Sequence, residues 1–408
     1  MAKLSAPALS VKWYDGRLVG KVVNPGDTYF AYADEWLANG YNLSPLRVPF
    51  SNKLYKERSK HFDHLPGFLS DALPDQWGRR LMEREFRDLD LTPTPIRMLS
   101  WVGARGIGAL TFSPALDESP PDVWQKVSPL LLTREAQSVM RHDPAQSFTH
   151  LKNAGTAGGA LPKTTIGLLP DGGILIGSNV ANMVNEPGAR LGLLKLDFED
   201  DPLKPKTDGR MEKAYLEMAR SAGINTVNSE VLVDTADIRP RHHLFVERFD
   251  CAAQSAHRLH VVTLAGLLQS FDLTYSHLLQ TTRDLTRDHR QLREAVRRMI
   301  FNVRSGNADD HGKNHSFVFD DRTGDWTLSP AYDLTLNYSP ENTYTGLFSS
   351  TFGARPRCRA LARVAGDFGI LPKEFDEIDE EVALAIGQWN EIAGKVGLPA
   401  QEIERAYR

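Results

Sequence analysis

Three polar side chains in the last third of the chain have the types and spacing to move a phosphoryl group. Asp309 and Asn314 stand in Asn307-Ala-Asp-Asp-His-Gly-Lys-Asn314 with the spacing Asp-x-x-x-x-Asn, and Asp333 follows nineteen residues after Asn314 in Ser-Pro-Ala-Tyr-Asp. Transfer to a hydroxyl needs one carboxylate beside the attacking oxygen. It also needs an amide oxygen and a second carboxylate on magnesium. The set supplies one of each, with Asp309 as catalytic base and Asn314 and Asp333 as Mg2+ ligands. His311 and Lys313 can both donate to anionic oxygen, which makes them candidates for the γ-phosphate of ATP. A polar turn uses the same residue types. What sets this stretch apart is its surroundings: an amphipathic helical pattern before it, a hairpin pattern after it, then Asp333. The text after Asp333 is Leu-Thr, so the Asp-Phe-Gly of many kinases is absent. A hydrolytic metal site of Asp309, Asp310 and His311 is the poorer reading, because near-adjacent ligands on one turn rarely converge on one ion. Asp310 is left without a role.

Upstream text offers partners for the phosphates. Lys195 interrupts the apolar run Leu191-Gly-Leu-Leu-Lys-Leu-Asp-Phe198. A lysine in such a strand is costly unless it is paired or snorkels to water. A phosphate-binding lysine held by a helix glutamate resolves that cost. Glu212, opening the helical text Met211 to Arg220, is the natural partner, and Glu217 competes with it. An edge-strand lysine facing water is the plainer alternative. The glycine-rich text Gly155-Thr-Ala-Gly-Gly-Ala-Leu-Pro-Lys-Thr-Thr165 is neither a Walker loop nor a full G-x-G-x-x-G. It can wrap backbone N–H groups around phosphate, or be a flexible turn. His242-His-Leu-Phe-Val-Glu-Arg-Phe-Asp250 reads as an apolar strand ending in charge. It would serve as a hinge that shows backbone groups to adenine near Phe249, or as an ordinary edge strand.

The elements that must hold these residues are legible in outline. Residues 9–23 predict a hairpin around Asp15-Gly16. Residues 66–86 carry apolar positions at helical spacing, with Pro74 as an internal boundary. Gly103, Gly106 and Gly108 predict a turn flanking a strand, not a nucleotide loop. Ser113 to Asp122 is the best linker. Residues 123–145 predict a helix, and 148–250 a β-rich region with one helix near 210–222. The chain from 261 onward predicts mostly helix, broken by the Asp309 loop and a hairpin through Asp321 to Gly324. The expected division is an N-terminal α/β subdomain over 1–115, a β-rich lobe over 123–250 and a helical lobe over 251–408. The fold class is α+β, two-lobed and kinase-like, with ATP expected in the cleft between lobes.

Composition adds limits. The 408 residues, 41% hydrophobic and 25% charged with net charge −4, fit a protein of two or three compact domains. Nothing global demands nucleic acid or an acidic membrane. Arg290, Arg293, Arg297 and Arg298 read as a solvated helix face, or more sharply as a phosphate-facing patch. The two cysteines, Cys251 and Cys358, have no metal-ligand spacing. A reducing, cytoplasmic setting is expected, with no signal segment and no membrane span.

In order along the chain, the text resembles the HipA family, the serine/threonine-kinase toxins of bacterial toxin–antitoxin pairs. The resemblance rests on Phe68-Leu-Ser-Asp-Ala-Leu-Pro-Asp-Gln-Trp-Gly-Arg-Arg80, Gly158-Gly-Ala-Leu-Pro-Lys163, Leu193-Leu-Lys-Leu196 and Val246-Glu-Arg-Phe-Asp250. It rests most specifically on Asn307-Ala-Asp-Asp-His-Gly-Lys-Asn-His-Ser316 and Ser329-Pro-Ala-Tyr-Asp333. It implies that Asp309 is the base, that Asn314 and Asp333 hold magnesium, and that Lys195 contacts ATP phosphates. It implies that Gly158, Gly159, Ala160, Leu161, Pro162 and Lys163 cover those phosphates, that Glu247, Arg248 and Phe249 form the adenine hinge, and that His311 and Lys313 belong to the nucleotide site. Family members modify a serine or threonine of a protein, aminoacyl-tRNA synthetases among them, and so arrest growth. A HipB-like helix-turn-helix antitoxin neutralises the toxin, and the complex binds operator DNA. Such kinases can phosphorylate their own serine just before the glycine-rich loop. The nearest residue here is Thr156, which either takes that phosphate or stays an unmodified loop threonine; its added methyl stiffens χ1, and a phosphate there would sit badly beside those of ATP. Two other functions remain open on the residues alone: a kinase of a small molecule or lipid, and a non-catalytic kinase-like module acting with a DNA-binding partner.

Overall fold

Buried and more exposed side chains alternate along Ala8–Trp13 (β1), and that alternation builds the first sheet. The computed structural model describes residues 8–116, 124–141, 143, 148–153, 159–177, 186–198, 208–237, 239–252, 255–336, 346–352 and 358–405. β1 turns through Asp15-Gly16 into Leu18–Val23 (β2), as the sequence predicts, and Tyr29–Tyr32 (β3) continues the meander. Leu110–Ser113 (β4) completes the order β3-β2-β1-β4. Asp34–Asn39 (α1), Gly67–Ser70 (α2), Gln76–Asp88 (α3) and Pro95–Val102 (α4) lie between β3 and β4. The predicted 66–86 helix is thus two, with Pro74 in the break. The buried rings of Phe30 and Phe68 meet edge to face at 5.4 Å, so α2 closes over this sheet. Gly103 caps α4 and Gly108 has a left-handed backbone just before β4, the strand-flanking turn expected there.

A six-stranded sheet follows, in the order β5-β7-β6-β8-β10-β9. Its strands are Gln125–Val127 (β5), Lys163–Leu168 (β6), Ile174–Ile176 (β7), Arg190–Lys195 (β8), Ser229–Asp234 (β9) and Arg241–Glu247 (β10). Every residue of β6 is buried, as befits a central strand covered on both faces. Residues 123–145 are not one helix: β5 comes first, and Pro129–Met140 (α5) begins behind a Ser128 cap. Three residues paired to β7 outweighed the helical spacing of the apolar positions. Thr149–Asn153 (α6) leads to the glycine-rich segment.

The remaining elements are Gly209–Ser221 (α7), His260–Thr263 (β11), Leu264–Leu268 (α8), Tyr275–Thr286 (α9) and His289–Ser305 (α10). After them come Ser316–Asp320 (β12), Asp325–Leu328 (β13), Leu347–Phe352 (α11), Cys358–Asp367 (α12), Pro372–Gly387 (α13), Trp389–Val396 (α14) and Ala400–Arg405 (α15). Two compact units result. One comprises residues 1–207, 232–262 and 266–269; the other comprises 208–231, 263–265 and 270–408. This cut groups the first two expected segments together and assigns α7, with Glu212, to the helical unit. In that unit Tyr215 of α7 meets Phe301 of α10 and Trp389 of α14, at 6.5 and 5.3 Å between ring centres. None of the described helices is long and apolar enough to cross a membrane.

Candidate active site

The acidic candidates lie in the helical unit. α10 ends at Gly306, whose left-handed backbone returns its N–H to the Asn302 carbonyl. The chain then forms the loop 307–315 and re-enters the sheet as β12. The turn closes with the Asn314 N–H on the His311 carbonyl at 2.8 Å. Inside it, the Asn314 Nδ2 donates to the Asp309 carbonyl at 2.6 Å. That bond fixes the amide and turns its Oδ1, the atom a hard cation would take, the other way.

Asp309 is half-buried. Its Oδ1 is buried and has no hydrogen-bond partner. His311 Nε2 is 3.8 Å away, too far for a hydrogen bond. Burial pushes the Asp309 carboxyl above the usual range, His311 pulls it back, and the charge of Asp333 pushes it up again. Asp309 and Asp333 therefore share one electrostatic neighbourhood. The Asn314 amide oxygen and the Asp333 carboxylate are hard-oxygen donors of the kind that fits magnesium.

Asp333 has an unusual backbone. Its φ is +53°, rare outside glycine though tolerated by aspartate. The preceding residues are clamped from several sides. The Ser329 N–H binds the Ser316 carbonyl, and Arg298 Nη2 binds the Ser329 carbonyl at 2.8 Å. Ala331 bridges Asn225 and Val227 through 2.7 and 3.0 Å backbone bonds. The Tyr332 hydroxyl reaches the Lys313 carbonyl at 2.8 Å and Ser316 Oγ at 2.5 Å. Backbone strain of this kind persists only where neighbours over-determine it. The Lys313 ammonium lies 5.9 Å over the Phe271 ring. His315 closes the loop as a buried, neutral ring, pushed down to about 3 by burial first and by Arg298 second.

The basic candidates lie in the other unit. β6 and β8 run antiparallel with Lys163 directly opposite Lys195. Directly opposed residues point to the same face, and like charges there repel unless an anion joins them. Lys163 is buried and Lys195 half-buried. Gly159, just upstream, has φ +107°, and a Cβ on it would run into the Lys163 ammonium. Its amide donates to Asp75 Oδ2 at 3.1 Å, its carbonyl accepts from the Trp77 N–H at 3.2 Å, and Trp77 Nε1 donates to the Lys163 carbonyl at 2.8 Å. The first turn of α3 thus braces the glycine-rich segment. Pro162 is buried and its carbonyl accepts from the Leu196 N–H at 3.0 Å, while Ala160 and Leu161 are exposed. Gly158 and Thr156 lie outside the described residues.

At the end of β10, Arg248 is committed to the protein. Its N–H binds the Leu191 carbonyl, and its guanidinium binds Asp250 at 2.5 and 2.9 Å and the Gly106 carbonyl at 3.1 Å. Burial works against the Asp250 charge, yet Arg248 and Arg258 hold its carboxyl below the usual range. Glu247 and Phe249, on either side of Arg248, are both half-buried. Glu217 is engaged along its own helix, by Lys213 at 2.5 Å and Arg220 at 2.8 Å, whereas Glu212 stands in the first turn of α7. The bracing roles of Asp75, Trp77, Arg298 and Tyr332 were not readable from the sequence, because each acts on a partner remote in the chain.

Comparison with known proteins identifies the family of the chain. A family model described as HipA N-terminal domain matches residues 10–113, and one described as HipA-like C-terminal domain matches 155–396. Two Sinorhizobium fredii proteins are similar along most of their length. "Putative kinase Y4mE" is 26% identical over 363 residues, 79% of this chain and 76% of its own. "Putative kinase Y4dM" is 25% identical over 368 residues, 83% and 81% of the two chains. The HipA of Shewanella oneidensis MR-1, solved with HipB and its operator DNA, superposes over 98% of this chain and 94% of its own. The TM-score is 0.72 at 17% identity, so the α+β, kinase-like fold is the same.

Proposed function

From membership of the HipA family, which the matches to residues 10–113 and 155–396 establish, we propose that this chain is an ATP- and magnesium-dependent protein serine/threonine kinase. Asp309 orients the acceptor hydroxyl and takes its proton late in the transfer. Asn314 Oδ1 and Asp333 are the residues that would hold magnesium, which when bound offsets charge on the phosphate oxygens. Lys195 and Lys163 serve the phosphates, with the 158–163 segment over them, and Glu247 to Phe249 serve adenine. His311 and Lys313 steady the γ-phosphate. The observation that carries the reading is the orphaned Oδ1 of Asp309 beside a second acid and a fixed amide. The acceptor is a protein, with the translation machinery, an aminoacyl-tRNA synthetase for example, as the target whose modification arrests growth. A HipB-like helix-turn-helix antitoxin is the partner, operator DNA is reached through that complex, and the compartment is the cytoplasm. Thr156 is the residue proposed for self-modification.

Incubation with labelled ATP, magnesium and cell lysate tests this, run beside a panel of small metabolites and lipids. Protein label that disappears in Asp309→Gln supports the reading. Label confined to metabolites or lipids replaces it with a small-molecule kinase. No label and no Mg-ATP binding leaves a non-catalytic module.

A further inference from the structure

Asp310 has no place in the chemistry above, yet it is the most deeply committed residue of the loop. It is 1% exposed and sits among three other buried polar side chains, Asn302, Asn307 and Tyr275. These form one chain of bonds. Asn307 Nδ2 donates to Asn302 Oδ1 at 3.0 Å, and Asn302 Nδ2 donates to the Tyr275 hydroxyl at 3.1 Å. The Tyr275 hydroxyl in turn donates to Asp310 Oδ2. Asn302, Tyr275 and Asp310 are answered within this chain, while Asn307 Oδ1 is buried without a partner; bonds made between buried polar groups fix one arrangement.

The far side of the Asp310 carboxylate meets a different stretch of backbone. The Phe348 N–H donates to both carboxylate oxygens, at 3.1 and 3.3 Å, and the Leu347 N–H donates to the Asp310 carbonyl at 3.3 Å. Tyr275 repeats the contact, since its own N–H donates to Thr351 Oγ1 at 2.8 Å. Gly346 lies so close that a Cβ there would collide with Asp310 Oδ1 and the Ala308 carbonyl. One carboxylate thus holds α11, the first described element after the Asp333 stretch, against the residue next to Asp309. The Asp309 carbonyl is also the atom that fixes Asn314.

We propose that Asp310 is a positioning residue that seats Gly346 to Phe352 on the catalytic loop, so that the seating of this segment and the alignment of Asp309 with Asn314 are one event. The proposal deepens the kinase reading and rests on it for its kinetic consequence. Replacing the carboxylate by an amide keeps shape and volume. It also turns an NH2 toward either the Phe348 N–H or the Tyr275 hydroxyl, which already accepts from Asn302, so a donor faces a donor.

The test uses the full chain and three readouts on Asp310→Asn: transfer kinetics, thermal melting, and amide hydrogen exchange at Leu347 and Phe348. The expected result is a kcat lower by about 30-fold, with KM for ATP within about twofold, as fits loss of alignment rather than loss of nucleotide binding. Exchange at the two amides is expected to speed by at least about tenfold. Tyr275→Phe keeps the Phe348 bonds and is expected to lower kcat by about threefold with a smaller gain in exchange. Unchanged protection at Leu347 and Phe348, or a kcat loss matched by an equal rise in KM for ATP, overturns the proposal. If Asp310→Asn does not fold, Tyr275→Phe decides on the same readouts. If the wild type transfers no phosphate, the kinase reading fails, and the exchange result alone decides whether Asp310 seats the segment.

Discussion

Helix α10 and the loop that follows it carry charge that ends in opposite states. Along the helix, arginines meet acids. Arg293 binds Glu374 at 2.6 Å and Glu377 at 3.7 Å, Arg297 binds Glu381, and Arg304 binds Asp379 at 2.5 Å, all on α13. Arg298 folds back on Glu294, and Arg290 on Asp288. No phosphate-facing patch remains of the basic run that the sequence displays. Just past the helix, the 307–315 loop does the reverse. Asp309 keeps a buried oxygen without a donor while Asp333 repels it. Charge that is answered within the fold is structure; charge left unanswered at a cost marks a place where something else must bind.

The contrast predicts opposite outcomes for neighbouring acids and bases. Asp309→Gln should cut phosphate transfer by about a thousandfold while the melting temperature holds or rises, because a buried repulsion is removed. A fall in melting temperature together with retained transfer would move Asp309 into the structural class. Arg298→Met is the intermediate case. The guanidinium is 4% exposed and answers both Glu294 and the Ser329 carbonyl. Its loss leaves an acid and a carbonyl unpaired, costing about 2–3 kcal/mol by urea unfolding. Ser329 leads directly to Asp333, so transfer should weaken as well; full activity at lowered stability would show that the Asp333 clamp does not depend on this arginine. Arg304→Ala, on the half-exposed helix pair, should cost at most about 1 kcal/mol and leave transfer unchanged.

The same contrast explains what the sequence could reveal. The hairpin at Asp15-Gly16, the helix break at Pro74, the helix 209–221 and the hairpin after the loop all follow from turn chemistry and short-range periodicity. Asp309, Asn314 and Asp333 stood out as candidates because their order along the chain is itself the signal. The acidic row of α13 that consumes the arginines was not, since it begins about eighty residues later in the chain and pairs only in three dimensions. Asp310 was passed over for the same reason: Tyr275, Asn302 and Phe348 converge on it from three elements. β5 hid inside a helical pattern because its pairing to β7 crosses α5 and the glycine-rich segment.

Two carboxylates of the helical unit take the comparison to its smallest expected effect, in pH. Glu374 is answered by the His289 imidazole first, then the Leu371 amide and Arg293, which hold it down to about 2. A depressed carboxyl stabilises the fold above the unfolded value of roughly 4 and loses that contribution as acid is added toward the folded value. Asp310 is pushed up to about 6, by burial before all else, against the pull of Tyr275 and the Phe348 amide. Its sign is opposite: the folded state holds the proton more tightly, so this contribution is present in acid and is lost as pH rises from roughly 4 through 6. The stability of wild type relative to Asp310→Asn should therefore decline over that window, by about 3 kcal/mol at most. The stability of wild type relative to Glu374→Gln should instead be greatest above about pH 5 and shrink as the pH falls toward 2. Urea unfolding of the three proteins across this range reads both slopes. Parallel slopes for the two variants would mean that the buried loop acid and the helix-pair acid are answered alike, and the distinction between α10 and the loop after it would fail at its most sensitive point.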